Sequence, residues 1–156
     1  MDSKTENHGE ISSGVRSFLK YPFVYLFFQF LMNSHAKYSM YLDRFLMPVH
    51  GKRILDIGCG CADILTLLPH DVEYVGYDMN SRYIEYARRK FGHRGTFHNQ
   101  RVNNIVIEGN LPFDIVLADG ILHHLSDDEA AELFSLSYSV LCNTGFLFTA
   151  DPTLVD

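Results

Sequence analysis

The sequence predicts an α/β fold: a doubly wound, mainly parallel sheet with helices on both faces. Three observations predict it. From residue 53 onward, short apolar runs alternate with amphipathic stretches, the pattern of βαβ units. The first apolar run ends in a glycine-bearing turn that leads straight into a helix candidate. The length of 156 residues with 47% hydrophobic content fits one domain with a real core.

The elements follow in order. Residues 1 to about 14 read as a polar tail. Val15 to Met47 is aromatic-rich and predicts a helical cap of two helices broken near Asn33 and Ser34. Pro48 to Lys52 is a turn, and residues 48–156 form the α/β core. Its strands are expected at Arg53–Ile57, Tyr74–Tyr77, Thr96–His98, Phe113–Ala118 and Gly145–Ala150. Ala62 to Leu68 predicts a short helix stopped by Pro69. Ser81 to Phe91 predicts a helix with Ile84, Ala87 and Phe91 on its inner face and Arg82, Arg88 and Arg89 outside. Ser126-x-x-Glu129 is a capping box opening a helix that turns Leu133, Phe134, Ser137, Val140 and Leu141 inward, with Gly145 ending it.

Composition narrows the function classes. Lys+Arg 13 against Asp+Glu 19 gives a formal charge of -6, which argues against a nucleic-acid partner, because such binding needs a basic surface. Arg88, Arg89 and Lys90, with His93 and Arg94, are expected to be a solvated helix face. Cys59 and Cys61 lack further ligands for a metal and read as small fillers, so no metal is expected. Three cysteines make no disulfide framework, and the first ten residues are polar and acidic where a secretory signal would start basic. The expected location is cytoplasmic. The most apolar stretch, Pro22–Met32, would span only about 16 Å as a helix, too little for a bilayer. Within the aromatic stretch 21–32, a helix packed on the core competes with a lid, a subunit interface or an interfacial membrane contact.

The site chemistry sits in Ile54–Leu65, ILDIGCGCADIL. Gly58 and Gly60 let a ligand approach the backbone, and a following helix start would offer free amides. A dinucleotide fingerprint would need glycine at position 63, where Asp63 stands; its carboxylate and that of Asp56 would repel a pyrophosphate. A ligand with an ammonium group and a positive sulfur suits the turn better. Asp78 closes the next strand, where a carboxylate can accept both hydroxyls of a ribose. The competing reading is a helix cap, for which Asn80 or Ser81 is better placed.

Here the sequence resembles the class I S-adenosylmethionine-dependent methyltransferases of the small-molecule type, which have a Rossmann-like sheet. The resemblance rests on LDIGCGCA at 55–62, YVGYDMN at 74–80, FDIVLADGILHHL at 113–125 and the helix and strand ending at Ala150, and covers about residues 50–151. It implies that Asp56, Gly58, Gly60 and Ala62 hold the methionine end of S-adenosylmethionine, that Asp78 binds its ribose, and that Met79 packs on adenine. Ala118, Asp119 and Gly120 would line the amino-acid end. Ala62 stands where the family has a third glycine, a mild change. The family's acidic residue after the third strand is replaced in His98-Asn99-Gln100-Arg101-Val102, where Asn99 or Gln100 could accept from the adenine amino group. His123, after the fourth strand, would be a general base or a polar wall of the acceptor site; the alternative is a turn histidine bonded to backbone.

The family sheet normally continues with an antiparallel hairpin, whereas this sequence stops six residues after Ala150. The expectation is therefore a chain truncated after the fifth strand, with that edge covered by something else, and a homo-oligomer. The leading function is methyl transfer to a small-molecule acceptor. The alternatives are a catalytically weak or inactive binding and interaction domain, and a nicotinamide dinucleotide enzyme, which Asp63 and Asp56 disfavour.

Overall fold

The computed structural model describes residues 34–46, 49–101 and 112–151. The predicted tail, the first cap helix and the 21–32 stretch lie outside these residues. Helix α1 spans Ser34–Tyr41 and continues as a wider π turn over Leu42–Leu46. Then follow β1 (Arg53–Ile57), a 3-10 turn (Asp63–Thr66), β2 (Glu73–Asp78), α2 (Ser81–Phe91), β3 (Gly95–Asn99), β4 (Phe113–Asp119), a second 3-10 turn (Leu122–His124), α3 (Asp127–Val140) and β5 (Leu141–Ala150).

The five strands form one parallel sheet in the order β3-β2-β1-β4-β5. The order reverses between β1 and β4, which makes their carboxyl ends the switch point where open α/β sheets bind ligands. Strand alternation sends Ile54, Ile115 and Leu117 to one face, with Ile84, Ala87 and Phe91 of α2. Leu55, Val116 and Ala118 go to the other, with Leu133 and Val140 of α3. Helices thus cover both faces, as expected. Among the described residues, no strand lies outside β5, and no helix is long and apolar enough to cross a membrane.

Helix α2 matches its prediction residue for residue. The Asn80 side chain accepts the Arg82 amide at 3.1 Å, and Ile84, Ala87 and Phe91 are the buried positions. The capping box of α3 is also present, with Ser126 and Glu129 bonded reciprocally.

Four expectations change. The helix after β1 is a single 3-10 turn rather than an α-helix to Leu68. Helix α3 ends at Val140 instead of near Gly145, and Leu141 opens β5. Gly145 lies inside that strand: a Cβ there would come 2.9 Å from the Asp114 carbonyl oxygen, so its glycine serves close approach to β4. Phe134 is 48% exposed, because one residue past Leu133 rotates it off the Leu133–Ser137–Val140 stripe. Finally, the basic run is not simply solvated. Arg88 bonds the Phe97 carbonyl through Nε and Nη2, Lys90 pairs with Asp63 at 3.1 Å, and Arg94 donates to the carbonyls of Leu65, Leu68 and Pro69.

Candidate functional site

The turn after β1 is held in left-handed conformations at Gly58 (φ 77°), Gly60 (φ 54°) and Ala62 (φ 57°). Glycine adopts these freely; for Ala62 the Cβ contributes about 1–2 kcal/mol of strain, so this departure is costlier than the sequence suggests. The amides of Gly58 and Cys59 both donate to the Tyr77 carbonyl, at 2.8 and 3.0 Å. Gly60 donates to Asp78 Oδ2 at 2.9 Å, and Asn80 to Asp78 Oδ1 at 2.7 Å. The Asn99 side chain donates to the Asp78 carbonyl at 3.0 Å. The carboxyl ends of β1, β2 and β3 are thereby tied together.

Burial pushes the Asp78 carboxyl above its ordinary value, while the Asn80 and Gly60 amides pull it back. Asp56 is more extreme: desolvation, opposed by a 2.5 Å bond from the Tyr74 hydroxyl and reinforced by Asp119 and Asp78, raises it to about 7. Cys59 and Cys61 are buried thiols, as their reading as fillers requires, and burial pushes both up, Cys61 to about 12. Cys59 packs against Gly76, where a Cβ would lie 2.8 Å from its sulfur.

Two cavities flank Gly58. The larger, about 300 Å³, is an apolar cleft between the sheet and α3, lined by Ile57, Tyr77, Ile121, Leu125, Leu133 and Leu136. Asp78, Met79 and Gln100 border it, as do Arg101 and Glu129, which form an ion pair. Met79 is 71% exposed, so its contact surface is available to a ligand. The smaller, about 30 Å³, lies on the other side and meets Asp56, Asp119, Tyr38, Tyr41 and Phe148. Ile121, which lines the larger one, packs on Gly58: its Cγ2 lies 2.4 Å from where a Gly58 Cβ would be.

Of the remaining expected site residues, Gly60 and Ala62 are buried within the turn. Ala118 is fully buried in the α3-side core, at the end of β4 next to Asp119. Gly120 turns the chain after β4 with φ 70° and donates its amide to the Ala150 carbonyl at 2.8 Å. His123 is not a backbone-bonded turn histidine: its Nδ1 lies 2.7 Å from Asp151 Oδ1. His124 borders the larger cavity. Asp63 is turned to Lys90, so its repulsion of a pyrophosphate is weaker than the sequence suggests. The brevity of the element after the turn opposes a dinucleotide instead, because one 3-10 turn carries little helix dipole. Sequence reasoning missed Tyr74, Ile121, the Arg101–Glu129 pair and Asp151. Each matters through a contact distant in the chain, which no local pattern marks.

These features agree with comparisons to known proteins. A family model described as a methyltransferase domain matches residues 55–147, more than half of the chain. A solved structure titled as a DhpI-SAM-HEP complex is similar with a TM-score of 0.68 and 19% identity, covering 94% of this chain and 68% of that one. A TehB-like SAM-dependent methyltransferase from Corynebacterium glutamicum gives 0.61 and 21%, with 79% and 69% covered. The N-methyltransferase NodS from Bradyrhizobium japonicum gives 0.64 and 16%, with 74% and 66% covered. The chain spans under two thirds of other similar structures: 41% of the mycolic acid cyclopropane synthase CmaA1 and 48% of YjhP from E. coli. Comparison with curated protein sequences finds no match. With its β3-β2-β1-β4-β5 parallel sheet and the family match across it, the chain belongs to the class I methyltransferase domains.

Proposed function

We propose that the domain binds S-adenosylmethionine and transfers its methyl group to a small-molecule acceptor. The observation that carries this reading is the position of Asp78. Each of its oxygens accepts one backbone amide, and an ionised carboxylate oxygen has a further lone pair for a ligand hydroxyl. This carboxylate borders an apolar cleft of about 300 Å³ with Met79 at its edge, a combination that fits a ribose and a flat base. Asp119, and Asp56 once ionised, border the smaller cavity and suit an ammonium group. The residues present therefore fit the cofactor, which would supply an electrophilic methyl carbon on a sulfonium. The chain's own part is to bind, orient and receive a proton; Gln100 and Asn99 would meet the adenine amino group, and His123, whose ring packs on the His124 that borders the larger cavity, would receive the proton. The net charge of -6 supports a small-molecule acceptor over nucleic acid.

One observation favours the second reading, a domain that binds the cofactor weakly and serves as an interaction unit. Ile121 packs over the Cα of Gly58, so a ligand approaching the backbone on that side needs the side chain to turn away. Amide chemical-shift mapping with S-adenosylhomocysteine and with a nicotinamide dinucleotide tests these readings. Shifts at Gly58, Gly60, Asp78 and Met79 with the first ligand alone are expected. Shifts with the dinucleotide alone would overturn the proposal.

A further inference from the structure

We infer that Asp151 is a positioning residue that holds His123 as a proton acceptor, so that the methyl acceptor is a molecule whose hydroxyl or amine hydrogen must leave. This rests on the methyl-transfer reading above. Asp151 Oδ1 lies 2.7 Å from His123 Nδ1 and also accepts the His123 backbone amide at 3.2 Å. A carboxylate oxygen can only accept, so Nδ1 carries the ring hydrogen and Nε2 keeps its lone pair. The two side chains are buried to different depths. The Asp151 side chain is 18% exposed and its Oδ2 is buried without a hydrogen-bond partner among the described residues, whereas the histidine is 38% exposed. The acid is thus anchored inside and the base is open to an incoming molecule.

The pair is pinned by the sheet. His123 sits in the 3-10 turn after β4, Asp151 follows β5 directly, and the Gly120–Ala150 bond fastens the two strand ends at 2.8 Å. Both stand at the carboxyl ends of strands beside the β1–β4 switch point. The His124 ring, with its centroid 3.8 Å from that of His123, is the neighbouring titratable group and borders the larger cavity. In the step this arrangement would serve, the acceptor's O–H or N–H proton would pass to Nε2, its bonding pair staying on the acceptor atom. A lone pair of that atom takes up the methyl group that the cofactor would supply, the carbon–sulfur pair leaving with sulfur; Nε2 would later release the proton to water. A neighbouring carboxylate stabilises the imidazolium formed on the way.

Histidine ring 1H–15N correlation spectra of the full chain test this. Wild type should show His123 protonated at Nδ1, and Asp151→Ala should shift it toward the tautomer mixture of an exposed histidine. With S-adenosylhomocysteine present, phenol should move the Nε2 resonance by donating to it, and anisole, which has no such hydrogen, should not. Nε2–H in wild type, an unchanged tautomer in Asp151→Ala, or equal responses to phenol and anisole would each overturn the inference. If Asp151→Ala does not fold, the wild-type spectrum and the phenol–anisole pair still decide. His123→Gln should leave S-adenosylhomocysteine affinity within about threefold; a tenfold loss would place His123 in the cofactor site instead. Failure of wild type to bind S-adenosylhomocysteine at all would overturn the methyl-transfer reading and not the tautomer assignment.

Discussion

Gly60 donates its amide to the Asp78 carboxylate at 2.9 Å, which makes the turn after β1 and the end of β2 one unit. The residue expected to read a ribose is therefore also the residue that shapes the glycine turn. Its substitution should act on stability and on binding together. Asp78→Ala leaves the Gly60 and Asn80 amides without an acceptor and should lower unfolding free energy by about 1–3 kcal/mol in urea denaturation. An unchanged midpoint would show that the turn is held by Tyr77 alone.

Asp56 predicts a pH dependence whose sign can be worked out. In the native state its carboxyl keeps a proton to about pH 7, whereas unfolded it ionises near 3.8. Between these values the native state binds more protons, so its stability falls as pH rises through that window. The shift corresponds to about 4 kcal/mol lost by the time pH passes 7. Asp56→Asn should flatten the stability profile between pH 4 and 7, measured by thermal melts across that range. A wild-type profile that rises with pH there would contradict the assignment.

Helix α2 was legible because its cap and its stripe are both local: Asn80 precedes Ile84, Ala87 and Phe91 at helical spacing. The same locality explains the misreading of Gly145. A glycine after an apolar helical run looks like a helix stop, yet here its missing Cβ admits the carbonyl of Asp114, on the neighbouring strand β4. The glycine turn and Asp78 were legible because strand, turn and acid recur at fixed spacing. Asp151 was not, since its partner His123 is 28 residues away and only the parallel pairing of β4 and β5 brings them together.

Ala62 offers a test of backbone strain. Its φ of 57° suits glycine, so Ala62→Gly should stabilise the domain by about 0.5–1 kcal/mol after the entropy of the extra glycine is deducted. A lower melting temperature would mean that the methyl packs well enough in this buried turn to outweigh the strain.

Arg94 fastens the segment after β1 by donating to the carbonyls of Leu65, Leu68 and Pro69. Arg94→Ala should cost about 2–4 kcal/mol, and Arg94→Lys should recover only part of it, because an ammonium cannot reproduce the planar fork. Full recovery with lysine would reduce Arg94 to a point charge.

Strand β5 is one of the two outer strands of the sheet among the described residues, and between Leu141 and Ala150 it carries no lysine, proline or acid to discourage pairing. Phe146 on this strand, with Phe134 and Tyr138 on α3, is exposed. Light scattering at micromolar concentration should show a dimer or larger assembly, with slow amide exchange along β5. A clean monomer whose β5 amides exchange rapidly would contradict this.

The claim that the united ends of β1 and β2 form a cofactor site is tested most directly by titration calorimetry with S-adenosylhomocysteine, comparing wild type with an Asp78→Ala variant shown to be folded. Saturable one-to-one binding to wild type, weakened by about 1–3 kcal/mol in the variant through the lost charge-assisted bonds, is the predicted result. Equal affinity of the two proteins, or no heat of binding to wild type, would contradict it.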